Sequence, residues 1–208
     1  MTSPRLPHNK PAIASLAFAL LLSGCGATTA PRPMEAQPAA TPVATSPSVA
    51  LDSNMLSDYM MATNSYKGGN LKMAETLFLK IAAANPELPG PHANLGMIYN
   101  AKGEFDKAEA EFNQALLLKP DLPEVYNQLG ILHRNKGQFE QARQNYQAGL
   151  KLAPDNPNLL INLGILYDLY LNQPQEALKQ RQHYKTIVSE DKQVDIWIAD
   201  INQRAASQ

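Results

Sequence analysis

Cysteine is the scarcest residue type in this chain, with Cys25 standing alone among 208 residues. A single thiol excludes an intrachain disulfide. Histidine offers no metal site either: His92, His133 and His183 show no H-x-x-x-H spacing, and no carboxylate recurs beside them in a ligand pattern. No G-x-S-x-G occurs, and the glycines do not fall at phosphate-loop spacing, which removes the common nucleophile elbow and nucleotide cradle. Long apolar runs are missing too. The longest, Pro11 to Leu22, has 12 residues, short of the roughly 20 a membrane-spanning helix needs. Basic runs are confined to Arg5 and Lys10, without which the formal charge moves from −1 to −3. Nucleic acid is therefore not an expected partner. With no catalytic constellation left, the chain is expected not to be an enzyme and to need no cofactor and no metal.

What the chain has instead is a period. PGPHANLGMIYNAKGEFDKAEAEFNQALLLKPDL, from Pro89, is followed from Pro123 by PEVYNQLGILHRNKGQFEQARQNYQAGLKLAPDN, and the two lines match position by position. Leu95 pairs with Leu129, Gly96 with Gly130, Gly103 with Gly137, Ala108 with Ala142, Phe112 with Tyr146 and Pro120 with Pro154. A fixed period of about 34 residues marks a stacked repeat array. Gly103 and Gly137 separate two apolar periodic runs, where a helix end favours a left-handed residue. Pro120 and Pro154 follow the second run and stop it. Each unit therefore reads as two helices. The small residues Gly96 and Ala108, or Gly130 and Ala142, let those helices approach, with Phe112 or Tyr146 filling the space beside them.

The spacing L-G-x-x-Y, then Gly, then A-x-x-x-F, then Pro resembles the tetratricopeptide repeat. That resemblance implies an all-α fold, a right-handed α-solenoid of tandem helix-turn-helix units. The repeat frame gives units at about 55–88, 89–122, 123–156 and 157–188. The first is degenerate in its first helix, with Met61, Ala62 and Ser65 where Leu95, Gly96 and Tyr99 stand in the next. In the fourth, Leu163, Gly164 and Tyr167 fit, but the turn reads Leu171-Asn172-Gln173-Pro174, the second helix starts one residue late, and Arg181 replaces the aromatic. A last helix over 189–205, with Ser189 as N-cap and Val194, Trp197, Ile198 and Ile201 on one face, is expected to cap the array. His133 takes the place of Tyr99 and Tyr167 and reads as a packing substitution.

Ahead of this domain, 51–205, the chain has a different character. Residues 1–24 have the basic start, apolar run and small-residue junction of a secretory signal peptide. Leu22-Ser23-Gly24-Cys25 resembles the lipobox of bacterial lipoproteins, which implies cleavage before Cys25 and acylation of it. Several acyl chains hold a protein stably on a membrane. Gly26, rather than Asp, after the Cys resembles the pattern sorted to the outer membrane, with the protein facing the periplasm. From Gly26 to Ala50 the composition is Pro, Ala, Thr and Ser with Arg32 and Glu35 as the only charges, too polar to fold and suited to a tether.

In the family, first helices line a concave surface that binds protein partners. Positions about 100–140° from the inter-helix face of each first helix give the candidate groove residues. They are Tyr66, Asn94, Asn100, Asn127, Gln128, Arg134, Asn135 and Asn162, with Met97, Ile131, Ile161, Ile165 and Asp168 among them. Side-chain amides both donate and accept, which suits the backbone of an extended peptide. Glu124 and Gln128 stand where some members carry the Lys and Arg of a carboxylate clamp, which disfavours that ligand. The expected partner is a protein or peptide of the cell envelope, in an assembly or scaffolding role. Short lipoproteins of this kind resemble pilus-assembly factors that help place an outer-membrane secretin, and the closing stretch resembles repeat proteins accompanying TonB–ExbB–ExbD-type systems. Self-association of a structural array, a homo-oligomer without a foreign ligand, is the alternative.

Overall fold

The structure, a computed structural model, describes residues 53–206. Cys25 and the stretch 25–50 lie outside the described residues. All regular structure among the described residues is helical. Four antiparallel hairpins follow one another: α1 (Ser53–Lys67) with α2 (Leu71–Ala84), α3 (Pro89–Ala101) with α4 (Phe105–Leu118), α5 (Pro123–Asn135) with α6 (Phe139–Leu152), and α7 (Pro157–Ile165) with α8 (Pro174–Ile187). α9 (Lys192–Ala206) follows α8. Each hairpin packs on the next, and the first helices α3, α5 and α7 also touch in succession. This is an all-α solenoid of the tetratricopeptide type.

Local chemistry explains the boundaries. α3, α5, α7 and α8 each begin with Pro in the first turn, where its missing N–H costs nothing. Asn70 and Asn156 accept backbone N–H bonds from the first turns of α2 and α7. Gly69, Gly103 and Gly137 close the first helices at φ 78°, 76° and 74°. The amide of the following residue reaches back five positions in each case, Asn70 to Ser65, Glu104 to Tyr99 and Gln138 to His133. That bond belongs to the Schellman motif, which needs a left-handed residue before it.

The close approach inside a hairpin is visible at the glycines. A Cβ on Gly96 would lie 2.6 Å from the Phe112 ring, and one on Gly130 would lie 2.3 Å from the Tyr146 ring. Phe78, Phe112 and Tyr146 are fully buried, as are Ala74, Ala108 and Ala142 one turn before them on the same helices. Burying a side chain of this size stabilises by roughly 1.5–3 kcal/mol, which makes the aromatic the anchor of each hairpin.

The fourth hairpin departs from the pattern. After Ile165 the helix widens into a π-helical stretch, Leu166–Tyr170, and the Leu171 N–H donates to the Leu166 carbonyl. One residue is thereby inserted. The turn residue becomes Asn172 at φ 51° instead of a glycine at 171, and the closing bond runs six positions back, from Gln173 to Tyr167. The late start of α8 is the result. α9 begins at Lys192 rather than 189, with Asp191 in place of Ser189 as its cap: the Asp191 carboxylate accepts the N–H bonds of Gln193 and Val194.

Candidate functional site

Successive first helices place equivalent residues beside one another, and two polar tracks cross the array. On the inner track, the Asn94 amide donates to the Tyr59 hydroxyl at 2.8 Å and to the Gly90 carbonyl at 2.8 Å. Between the third and fourth units the Asn162 amide donates to Asn127 Oδ1 at 2.9 Å. The same step from Ala93 meets Gln128, and alanine has nothing to offer it. Asn94, Asn127, Gln128 and Asn162 are all buried, at 2%, 8%, 5% and 2% exposure. Three of the four buried candidates therefore bond neighbouring parts of the array itself, and Gln128 is buried beside them.

The outer track lies near the C-terminal ends of the first helices. Tyr66, Asn100, Arg134 and Asp168 hold the same place in successive units, with Asn135 beside them. Asn135 is exposed, and Tyr66, Asn100 and Arg134 are half-buried. The Asn135 amide reaches Asn100 Oδ1 at 3.5 Å. Arg134 lies over the Tyr170 ring at 6.0 Å, and Tyr170 tilts against Phe139 with ring centroids 4.9 Å apart. Burial raises the Tyr66 phenol above its ordinary value and keeps it a neutral donor. Accessible amides, a guanidinium and aromatic faces thus line one row, a set suited to peptide bonds, carboxylates and ring stacking.

At the fourth unit the track turns inward. Asp168 accepts from Arg181 at 3.1 Å and from Arg204 at 2.7 Å, and the Asp168 and Arg181 side chains are each only 2% exposed. Arg204 also pairs with Asp200 at 3.1 Å. The hydrogen bond to Asp168 lifts Arg204 above its ordinary value. Arg181 stands where Phe112 and Tyr146 stand, its Cγ 3.4 Å from a Cβ built on Gly164, and its guanidinium lies 4.9 Å from the Trp197 ring. This network was missed in the sequence. A charge in an aromatic slot demands a counter-charge, and that demand was the available signal. The 36-residue step from Asp168 to Arg204 repeats the 35-residue step from Asn100 to Asn135, lengthened by the inserted π residue.

His133, read as a packing residue, is buried with Nδ1 2.8 Å from Gln138 Oε1. Among the described residues no group of three or more His, Cys, Asp or Glu is placed to hold a metal ion, and no helix is long and apolar enough to cross a membrane.

The sequence profile described as TPR repeat matches residues 96–137 and 132–168. No curated protein matches the chain significantly. Solved structures with a similar fold include pilF of Pseudomonas aeruginosa, 19% identical over 74% of this chain and 69% of that one, TM-score 0.67. TTC0263, a TPR protein of Thermus thermophilus, is 21% identical over 73% and 82%, TM-score 0.65. MamA of Desulfovibrio magneticus RS-1 is 18% identical over 76% and 88%, TM-score 0.63. At such identities the likeness concerns the fold alone.

Proposed function

We propose that this protein is a lipid-anchored envelope scaffold that holds another protein along the row Tyr66, Asn100, Arg134 and Asn135. The observation behind it is the recurrence of accessible hydrogen-bonding side chains at one place on three successive first helices. An array repeating its donors at a fixed step suits a partner that presents repeating acceptors, as an extended segment does. The signal-like start and Cys25 support an anchor on the outer membrane facing the periplasm, with 25–50 as a tether and no catalytic activity. Assembly of a pilus secretin and a TonB-type energy-transducing complex are the two settings this reading favours.

The test is crosslinking in intact cells with Arg134→Ala/Asn135→Ala as the comparison. These two residues are chosen because Asn127 and Asn162 bond each other, and their loss would disturb the array. Loss of one defined envelope protein from the variant supports the row as the working surface; identical captures refute it. For the anchor, Cys25→Ser is expected to leave unprocessed or released protein, and unchanged membrane retention would count against lipidation.

A second reading rests on the first unit. Leu56, Met60 and Met61 are 49%, 59% and 48% exposed on α1. The residues aligned with Met60 and Met61 in the next unit, Asn94 and Leu95, are buried. These exposed apolar side chains favour self-association of the array. Sizing across a range of concentrations, with Met60→Ser/Met61→Ser as the control, distinguishes it from the row.

A further inference from the structure

We infer that α9 is a releasable latch keyed by Asp168, and that its release lengthens the concave face by one unit. The inference does not depend on which partner the row binds. Three observations carry it. First, the fourth hairpin lacks the glycine–aromatic interlock of its neighbours: Arg181 fills the aromatic's place, and a Cβ built on Gly164 would meet it only at ordinary van der Waals distance. Second, one carboxylate on the π-helical stretch joins α8 and α9, through Arg181 and Arg204. Third, the apolar seat of α9 is divided. Ile201 joins the cluster built on Tyr146, Leu163 and Tyr167, whereas Val194 packs separately with Ile161 and Ile165, bordered by Tyr184, Trp197 and Ile198.

A buried ion pair adds little over an apolar packing of equal volume, but removal of one member strands the other charge. Docking of α9 is therefore conditional on Asp168 in a way that docking of α3 on α2 is not conditional on any one charge. Ile161 and Ile165 take the places in the fourth unit that Asn127 and Ile131 hold in the third. When α9 leaves, these two become the free edge of the same surface, and an amphipathic helix from a partner has an apolar strip to occupy. The link 188–191 between α8 and α9 is short, and besides the Asp168 pair α8 holds α9 through the half-exposed Lys185–Asp195 ion pair and the Tyr184–Asp191 hydrogen bond, both nearer to solvent than Asp168.

Trp197, the only tryptophan in the chain, sits at the latch and reports on it directly. Urea titration of the full chain, followed in parallel by Trp197 emission and far-UV circular dichroism, is expected to give an emission change at lower urea than the loss of helix. Asp168→Asn should favour the open form by roughly 100-fold, as expected for stranding a buried charge, and shift Trp197 emission to the red before any urea is added. Arg204→Gln leaves Arg181 paired, so it should advance the emission change while leaving the main helix transition in place. If Asp168→Asn fails to fold, Arg204→Gln decides alone. Coincident transitions by both probes in the parent and in Arg204→Gln would overturn the latch, as would Trp197 emission unmoved in a folded Asp168→Asn.

Discussion

The Gly96–Phe112 and Gly130–Tyr146 contacts are tighter than any side chain at the glycine would allow. Gly130→Ala would put a methyl 2.3 Å from the Tyr146 ring, and a fully buried ring has nowhere to move. Overpacking of this sort costs about 1–3 kcal/mol, while alanine in a helix returns at most about 1 kcal/mol over glycine. A net loss on the order of 1–2 kcal/mol is expected in urea denaturation. Gly164→Ala is the built-in contrast, since its nearest neighbour is the Arg181 Cγ at 3.4 Å, and it should be neutral or stabilising. The Tyr146 hydroxyl is a second residue-level oddity, buried with no hydrogen-bond partner and its phenol pushed up in pKa chiefly by burial. Phe78 and Phe112 fill the same place without it. Tyr146→Phe is therefore expected to raise the urea midpoint, by up to about 1 kcal/mol in stability, because an unpaired buried hydroxyl is a desolvation cost. A fall in stability would mean that the hydroxyl has a partner in solution. These contacts were legible in the sequence because glycine, alanine and the aromatic recur at fixed offsets. The Asp168 network was not legible, because its three members fall 13 and 36 residues apart and only the inserted π residue brings them into step.

At the scale of the helix and its ends, the inserted residue of the π-helical stretch has to be accommodated by the turn after it. Asn172 occupies the left-handed position that glycine holds in the first three units, and asparagine tolerates that region better than most residues but not as well as glycine. Asn172→Gly should be accepted, with a gain of at most about 1 kcal/mol, whereas Gly137→Ala should destabilise, both measurable by thermal unfolding. The turn after α8 carries a pH dependence. The Tyr184 hydroxyl donates to Asp191 Oδ2 at 2.8 Å, and the phenol is pushed up to about 12, first by burial and then by the hydrogen bond and charge of Asp191. A raised pKa means that the folded state holds its proton longer than the unfolded chain does. The contribution is complete below the unfolded value near 10 and is lost as pH climbs from there through about 12. Alkaline unfolding of Tyr184→Phe should accordingly show a shallower loss of stability over that interval than the parent chain. The period located these elements, and the out-of-frame turn at Leu171–Pro174 marked the fourth as different. Periodicity alone could not show whether the extra residue would widen the helix or lengthen the loop, because either restores the frame of α8.

Across the whole array, stability is a sum of hairpins and of the interfaces between neighbours. The surface ion pairs repeat with the units: Lys102 meets Glu75 at 3.0 Å and Lys136 meets Glu109 at 2.7 Å, each lysine reaching the second helix of the preceding hairpin. Pairs of this exposure contribute between nothing and about 1 kcal/mol each, so they echo the period more than they enforce it. The inner amide track is different, because its members are buried. The reading from helical angle counted Asn94, Asn127 and Asn162 with the groove residues, since the angle fixes which way a side chain leaves its own helix. It carries no information on how near the next first helix comes, and that distance decides whether an amide meets a ligand or another amide. Asn127 and Asn162 couple the third unit to the fourth, and a double-mutant cycle measures that coupling. Either single change to alanine leaves a buried amide group without its partner and should cost about 1–3 kcal/mol. The double change removes both groups together and should cost less than the two single changes combined, with a coupling of at least about 0.5 kcal/mol. Strict additivity would show that the two side chains do not share a bond in solution, and Asn127 would then return to the row of residues open to a partner.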